Sequence, residues 1–250
     1  MLETINHGNV REIRLARPPA NALSADLVEL ITRSLIEAGE EAGAVVVSGQ
    51  PGMFSAGLDV PQLLQFDREE MSQFWQVFLR LLKTIAQMPV PTVFAMTGHA
   101  PAGGIVMALF GDYRIMPRGN FKTGLNEVQV GLVVSPTIHS ALVRTVGAHT
   151  AERILVAGEM MESARAKDIG LIDELADDPK STVARAIEWC EQHLALPQLA
   201  MLTTRKMARA DLHGFFDAGN ELAADKFIEI WFSDTAQATL SALVERLANK

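Results

Sequence analysis

A single carboxylate, Glu127, lies in the largely apolar stretch FKTGLNEVQVGLVVSP, residues 121–136. No other acid and no histidine follows it within ten residues. A carboxylate in apolar surroundings has a raised pKa, so it can accept and return a proton near neutral pH. From the residues alone two interpretations stay open: Glu127 is a proton carrier, or it is a glutamate in a salt bridge or at the surface.

Two glycine-containing turns could supply the groups that an acid of this kind would work with. The first, PGMFSAGLDV (residues 51–60), contains small residues that let a ligand approach backbone amides closely. In the second, HAPAGGIVMALFGD (residues 99–112), Gly103 and Gly104 open a short helix that is apolar on all sides. The first amides of a buried helix are free to bind an anion. A tight turn without a ligand, or close packing of helix on strand, would explain the same residues.

Both turns directly follow a predicted buried strand, and the segment with Glu127 follows a third. Two N–H groups that converge on one oxygen form an oxyanion hole, which stabilises negative charge that develops during a reaction. The spacing therefore raises the hypothesis of an oxyanion hole with one proton-transferring acid.

Composition excludes several other classes of protein. The chain has 250 residues, 48% of them hydrophobic, and a net charge of −8, which is typical of a globular domain and argues against binding to nucleic acid or to an anionic membrane. The one cysteine, Cys190, excludes an intrachain disulfide and is interpreted as a buried thiol. The first residues lack the apolar segment of a signal peptide, and no membrane span is expected. We therefore expect a cytoplasmic protein, or one of the mitochondrial matrix if it is a processed eukaryotic form.

Motifs for other chemistry are missing. The six histidines are scattered without metal-binding spacing, and no metal is predicted. No GxGxxG or phosphate-binding loop is present, so no nucleotide cofactor is predicted. Ser55 lacks the surroundings of a nucleophilic serine. His99, beside the second turn, either lines a pocket or has a structural role.

The elements that must position these residues alternate between strand and helix. Predicted strands are Leu2–Asn6, Val10–Leu15 and the buried runs AVVVSG, PVPTVFAMTG and YRIMP. A helix capped by Ser24 and a second helix over residues 68–88 carry apolar stripes. From about residue 138 helical patterns dominate, and the aromatic residues Phe215, Phe216, Phe227, Trp231 and Phe232 are expected in the core or at an interface between subunits. The pattern predicts an α/β fold.

At these residues the sequence resembles the crotonase, or enoyl-CoA hydratase/isomerase, superfamily. RPPANALS, FSAGLD, APAGGIVMALFGDYRI and AERILVAGE occur in the order and spacing of that family, and GLNEVQVG is similar to its mitochondrial-type Δ3,Δ2-enoyl-CoA isomerase branch. The resemblance implies a spiral of β-β-α repeats over residues 1–190 and a helical oligomerisation region over residues 191–250. It also implies a homotrimer or a hexamer.

The resemblance further assigns roles to individual residues. It implies an oxyanion hole from the amides of Leu58 and Gly103, with Glu127 as the catalytic acid and base. The acyl-CoA substrate would bind along Ala56, Gly57, Asp59, Val60 and Asn126. No separate cofactor is implied, because coenzyme A is part of the substrate. Lys226 and Arg246 are candidates to approach the phosphates of coenzyme A.

One position separates the branches of the superfamily. Hydratases of this family have a second catalytic glutamate three residues after the oxyanion glycine, where this chain has Val106. With only Glu127 left, the resemblance favours isomerisation, which moves one proton and shifts a 3,4 double bond to the 2,3 position. The alternatives are another crotonase reaction (hydration, thioester hydrolysis or decarboxylation) and a non-catalytic protein that binds acyl-CoA.

Overall fold

The computed structural model describes residues 1–216 and 220–248, and it forms an α/β fold of two sheets with helices packed around them. The described strands are β1 (Leu2–His7), β2 (Val10–Leu15), β3 (Ala44–Ser48), β4 (Gly52–Met53), β5 (Thr92–Ala95), β6 (Gly98–Pro101), β7 (Tyr113–Pro117), β8 (Lys122–Gly124), β9 (Met161–Glu162) and β10 (Glu174–Ala176). They form a six-stranded sheet in the order β1-β2-β3-β5-β7-β10 and a four-stranded sheet in the order β4-β6-β8-β9.

Helices connect and cover the strands. Those described are α1 (Ala25–Glu41), α2 (Val60–Leu63), α3 (Arg68–Ala86), α4 (Gly103–Ala108), α5 (Pro136–Val146), α6 (Ala148–Ala157), α7 (Ser163–Asp168), α8 (Pro179–Leu194), α9 (Gln198–Ala208), α10 (Ala210–Gly214), α11 (Asn220–Trp231) and α12 (Asp234–Ala248), with a 3-10 helix at Glu127–Val130. None of the described helices has the length and apolar character needed to cross a bilayer.

The two sheets grow together through a repeated β-β-α unit. In each of three successive units the first strand (β3, β5, β7) joins the large sheet and the second (β4, β6, β8) joins the small one. Within each sheet these strands pair in parallel. Strands of parallel sheets end at a common edge, so the segments that follow β4, β6 and β8 meet there. The three segments singled out in the sequence are the segments at these three strand ends.

Local sequence explains the main helices. Ser24 caps α1 as predicted, because its Oγ accepts a hydrogen bond from the amide of Leu27 at 3.3 Å. Asp67 and Glu70 form a reciprocal capping box at the start of α3, which ends at Ala86, two residues before the predicted end. The short strands β9 and β10 were not predicted within the helical second half of the chain. Two or three residues carry too little periodicity to mark a strand.

The C-terminal half packs onto the sheets. Helix α8 lies on the large sheet, where Cys190 is buried among apolar side chains of the strands, and burial raises the pKa of its thiol to about 12. The boundary expected between residues 190 and 191 lies inside α8, and the division into a core and a C-terminal oligomerisation region stays a prediction. Helix α11 packs on α3, and α12 packs on the 3-10 helix that begins at Glu127.

Candidate active site

A cavity of about 290 Å³ lies where the three strand-end segments meet. It brings together most of the residues that the sequence singled out: Ala56, Leu58, Val60, Gly103, Val106, Asn126 and Glu127. These residues come from three separate β-β-α units, so the repeat itself assembles the site. Side chains of the cavity wall are otherwise almost entirely apolar, and none of those described is basic.

The first two strand-end segments each contribute one backbone amide, that of Leu58 and that of Gly103, and the two amides lie close together. Neither Leu58 N nor Gly103 N has an acceptor among the described residues. The two amides are neighbours, since a Cβ placed on Gly103 would lie 3.3 Å from Leu58 N and one placed on Gly57 would lie 3.2 Å from Gly103 N. Two free N–H groups side by side at the wall of an apolar cavity are the donors that an oxyanion hole requires.

Backbone conformation at the second turn supports this arrangement. Ala102, the residue before α4, has φ 44° and ψ −117°, a region that a residue with a Cβ rarely adopts. Its own amide donates to the carbonyl of Gly124 at 2.8 Å, which ties the second turn to the end of β8. The strained residue therefore lies directly before Gly103, which lines the cavity.

The RPPANALS segment holds the first turn in place. The amide of Leu23 donates to the carbonyl of Gly57 at 2.8 Å, and the amide of Ala56 donates to the carbonyl of Ala20 at 2.9 Å. Ser55 Oγ donates to the carbonyl of Asn21 at 2.8 Å. On the other side of Leu58 the amide of Asp59 donates to the carbonyl of Leu23 at 3.2 Å, so both neighbours of Leu58 are held while its own N–H stays free. Ser55 thus has a structural role.

Glu127 begins the 3-10 helix that follows β8. The residue is half-buried, but its Oε2 is shielded from solvent and has no hydrogen-bond partner among the described residues. Burial raises the pKa of Glu127 from 4.5 to about 7, although a hydrogen bond from its own amide opposes the rise. A carboxyl group with a pKa near neutrality and an unoccupied oxygen can take up and release a proton.

Two predicted substrate-binding residues do not line the cavity. Gly57 is buried behind the turn, against Gly103. Asp59 is turned away because its carboxylate pairs with Arg17 at 2.6 Å and caps α2 through the amide of Gln62. Their contribution is to hold the first turn, so we assign them no direct contact with a ligand.

His99 also has a structural role. Its Nδ1 accepts a hydrogen bond from the amide of Lys122 at 2.9 Å, which fixes the start of β8. Among the described residues no group of three or more His, Cys, Asp and Glu side chains could hold a metal ion.

Much of the cavity wall was not identified from the sequence. Helix α3 contributes Trp75 and Phe78, and the loop after the 3-10 helix contributes Leu132, Val133 and Val134. A further part comes from the C-terminal helices, namely Phe227, Trp231, Leu240, Leu243 and Leu247. The aromatic residues expected in the core or at a subunit interface therefore include two that line the site. Their apolar helical spacing was visible, but the cavity they cover was not.

Comparison with known proteins agrees with this fold and identifies the family. The family model described as enoyl-CoA hydratase/isomerase matches residues 5–250. The chain is 28% identical to the human protein named enoyl-CoA delta isomerase 1, mitochondrial, over 95% of this chain and 80% of that protein. It is 30% identical to a probable enoyl-CoA hydratase of Mycolicibacterium paratuberculosis, over 87% of this chain and 84% of that protein.

Solved structures give the same class. A crystal structure of human mitochondrial delta3-delta2-enoyl-CoA isomerase superposes with a TM-score of 0.93 at 26% identity, covering 99% of this chain and 98% of that one. The β-β-α architecture and these similarities define a crotonase-type enzyme. The chain belongs to the enoyl-CoA hydratase/isomerase family, the crotonase superfamily.

Proposed function

We propose that this enzyme is a Δ3,Δ2-enoyl-CoA isomerase, which moves a 3,4 double bond of an enoyl-CoA to the 2,3 position. The observation that carries the proposal is the single acid of the cavity. Glu127 is the one Asp or Glu among the described lining residues, its Oε2 has no partner, and its pKa is about 7. A 1,3-shift of a double bond needs one group that takes a proton from one carbon and returns it to another.

In the proposed reaction the thioester oxygen of a 3-enoyl-CoA accepts hydrogen bonds from the amides of Leu58 and Gly103. The carboxylate of Glu127 removes a proton from C2, and the electron pair of that C–H bond moves into the thioester to give an enolate. Both amides stabilise the negative oxygen; each such donor lowers the barrier by about 3 kcal/mol. Protonated Glu127 then returns the proton to C4, which regenerates the carboxylate and leaves the 2,3 double bond.

Hydration is the alternative that the hydratase relative suggests. Adding water across a 2,3 double bond needs a group to activate the water and a group to protonate carbon. The position where hydratases of the family have their second glutamate is Val106, which lines the cavity and is 1% exposed. An aliphatic side chain can do neither task, so Val106 favours isomerisation over hydration.

The deciding experiment is an assay of the wild type and of Glu127→Gln with 3-enoyl-CoA and 2-enoyl-CoA substrates. We expect wild-type turnover of 3-enoyl-CoA to 2-enoyl-CoA and near-complete loss of it in the variant. Binding of a saturated acyl-CoA should be retained, because the amide has the size of the acid. Substantial turnover by the variant would remove Glu127 from the mechanism. Efficient conversion of 2-enoyl-CoA to 3-hydroxyacyl-CoA would replace isomerase by hydratase.

The same assay tests the remaining alternatives. Release of free coenzyme A would indicate thioester hydrolysis, and loss of carbon dioxide from a malonyl-type thioester would indicate decarboxylation. Acyl-CoA binding without turnover of any substrate would indicate a non-catalytic relative. We propose that the reaction needs no cofactor besides the coenzyme A of the substrate. A homotrimeric or hexameric assembly and a cytoplasmic location stay predictions.

A further inference from the structure

Asn21, in the RPPANALS segment, combines two features that a folded chain seldom shows without a reason. Its side chain is polar, yet the residue is only 1% exposed. Its backbone is left-handed, with φ 50°, a conformation that is unfavourable for residues with a Cβ, although asparagine tolerates it better than most. Asn21 is not among the described residues that line the cavity. A buried polar residue in such a conformation is expected to support the structure around it.

The carboxamide of Asn21 uses both its acceptor and its donor. Oδ1 accepts a hydrogen bond from the amide of Arg17 at 2.7 Å. Nδ2 donates to the carbonyl of Phe54 at 3.0 Å and lies 3.4 Å from that of Met53. The carboxamide therefore ties the Pro-rich segment to the residues that enter the first glycine turn. Aspartate has no donor for these carbonyls, and alanine has neither group.

The backbone around Asn21 extends this connection into the turn. The carbonyl of Asn21 accepts a hydrogen bond from Ser55 Oγ at 2.8 Å, and the same Oγ accepts one from the amide of Gly57 at 3.2 Å. Two residues after Asn21, the amide of Leu23 donates to the carbonyl of Gly57 at 2.8 Å. Gly57 is thus held at its amide and at its carbonyl, and both connections lead back to residues 21–23.

The bond at the carbonyl of Gly57 determines where the amide of Leu58 points. The two groups belong to one peptide unit, which is planar and trans, so its C=O and N–H point in opposite directions. With the carbonyl held toward Leu23, the N–H of Leu58 is directed away from that segment, and it has no acceptor among the described residues. Misplacing a catalytic donor by about 1 Å can lower a rate about a hundredfold.

We propose that Asn21 is a positioning residue for the oxyanion hole, because it holds the first glycine turn so that the amide of Leu58 meets the negative oxygen of the enolate. The inference rests on the oxyanion hole of the proposed function but not on the fate of the double bond. Hydrogen bonds to a charged oxygen are stronger than those to a neutral one. Loss of Asn21 should therefore weaken enolate stabilisation more than binding of the neutral thioester.

Asn21→Gly tests this role with little disturbance of the backbone, since glycine adopts a positive φ readily but has no carboxamide. We expect kcat for 3-enoyl-CoA to fall about tenfold and KM to change less than about threefold, a smaller loss than removal of a whole donor would cause. The control is Thr182→Ala on α8, outside the cavity. It removes another buried hydrogen bond, from Thr182 Oγ1 to the carbonyl of Asp178 at 2.8 Å, and should keep both constants.

A spectroscopic readout separates the positioning role from stability and from isomerisation. A 3-oxoacyl-CoA ionises to an enolate with its own ultraviolet absorbance, so the pKa of this ligand can be measured while it is bound. Asn21→Gly should raise that pKa by about one unit relative to wild type, the equivalent of the tenfold loss in kcat. The affinity for a saturated acyl-CoA should change less than about threefold, and Thr182→Ala should match wild type in both.

Ser55→Ala gives the decision if Asn21→Gly does not fold. It removes the link between the carbonyl of Asn21 and the amide of Gly57, and should raise the pKa of the bound ligand by about half a unit. If both variants fold, their effects should not add, because both act on one turn. A ligand pKa equal to that of wild type in folded Asn21→Gly, or in Ser55→Ala where only this variant folds, would overturn the inference.

The same measurements distinguish this inference from the proposed function. A wild type that lowers the pKa of the bound 3-oxoacyl-CoA but does not isomerise 3-enoyl-CoA would refute the isomerase proposal, and the shift in Asn21→Gly would still support the positioning role. A wild type that isomerises, with a ligand pKa that Asn21→Gly leaves unchanged, would refute the positioning role alone.

Discussion

Two glutamates of this protein have shielded carboxylate oxygens but opposite environments. Glu12 on β2 is 0% exposed, and it accepts a hydrogen bond from Ser48 at 2.6 Å and one from Arg14 at 3.0 Å, with His7 Nε2 at 2.9 Å. Burial raises its pKa, but Ser48, His7 and Arg14 outweigh that effect, so the pKa of Glu12 is lowered. Burial also raises the pKa of Glu127, and no side chain there opposes it.

The difference shows that partners, more than burial, decide what a buried acid does. Glu12 is held as a carboxylate because three neighbouring side chains stabilise its charged form. The pKa of Glu127 is about 7 because only its own backbone amide stabilises the charged form. The first arrangement ties strands together, and the second leaves an oxygen free for a reacting proton.

Exchanging each acid for its amide should separate the two roles and has the largest expected effect. Glu127→Gln should reduce kcat for isomerisation about a thousandfold or more while the protein stays folded. Glu12→Gln should keep kcat within a few-fold but lower the free energy of unfolding by about 3 kcal/mol, because it removes a charge that buried partners need. Stopped assays and urea unfolding measure both. A loss of stability in Glu127→Gln larger than that in Glu12→Gln would refute the contrast.

The oxyanion hole can be perturbed without touching either acid. Gly57→Ala places a Cβ 3.2 Å from Gly103 N, so it should lower kcat/KM about a hundredfold, comparable to the loss of one donor. Gly52→Ala is the control, because Gly52 also has a positive φ, 89° against 85°, but has nothing within 4 Å of the new Cβ. Both variants should lose about 1 kcal/mol of stability through backbone strain. Equal kcat/KM values for the two variants would argue against crowding of the amides as the cause.

The sequence predicted the strand-end segments better than it predicted what surrounds them. The segments that contain Leu58, Gly103 and Glu127 were identifiable from local signals, small residues after buried strands and one acid in an apolar run, and the family resemblance then singled out these three residues. Asp59 shares the local signal of the first turn, but its pairing with Arg17, 42 residues away, turns it from the cavity. Local sequence does not encode that direction.

Residues far apart in the chain account for what was missed. The apolar stripe that the sequence predicts on α3 runs through Phe74 and Phe78 and leaves out Trp75, which lines the cavity and stacks on Phe227 of α11. Two of the three partners of Glu12, His7 and Ser48, likewise lie on neighbouring strands, so Arg14 is the only one of them within VREIRL. Periodicity shows which face of an element is apolar, and tertiary contacts decide what that face meets.

The pH dependence of activity and stability is a sharper test of the contrast between Glu12 and Glu127. Isomerisation needs ionised Glu127, so kcat/KM should rise about tenfold per pH unit up to pH 7 and then level off. The pKa of Glu127 is higher in the folded chain, about 7, than the ordinary 4.5. Its contribution to stability is therefore fully present below pH 4.5 and is lost as the pH rises through 7.

The two amide variants should consequently respond to pH in opposite directions. Relative to wild type, Glu127→Gln should gain about 2 kcal/mol of stability between pH 5 and pH 8, because it avoids burying a charge. The lowered pKa of Glu12 stabilises the fold above about pH 4.5 and loses that effect in acid. The deficit of Glu12→Gln should thus shrink below pH 4.5. Denaturant unfolding at pH 4, 5 and 8 measures both, and parallel curves for the two variants would contradict the opposite assignments.

The smallest expected effect extends the contrast between partnered and free groups to two basic residues on the C-terminal helices. Lys226 Nζ pairs with Glu229 at 2.9 Å, whereas Arg246 has no ion-pair partner among the described residues and lies next to Leu247 of the cavity wall. An exposed guanidinium without an ion-pair partner can bind a phosphate of coenzyme A, whereas an exposed lysine already paired has less to gain. Arg246→Ala should raise KM about three- to fivefold with unchanged kcat, and Lys226→Ala less than twofold. The Arg246 effect should vanish at about 0.5 M salt, since screening removes an exposed charge interaction. A larger effect from Lys226→Ala would place the phosphate at α11 instead of α12.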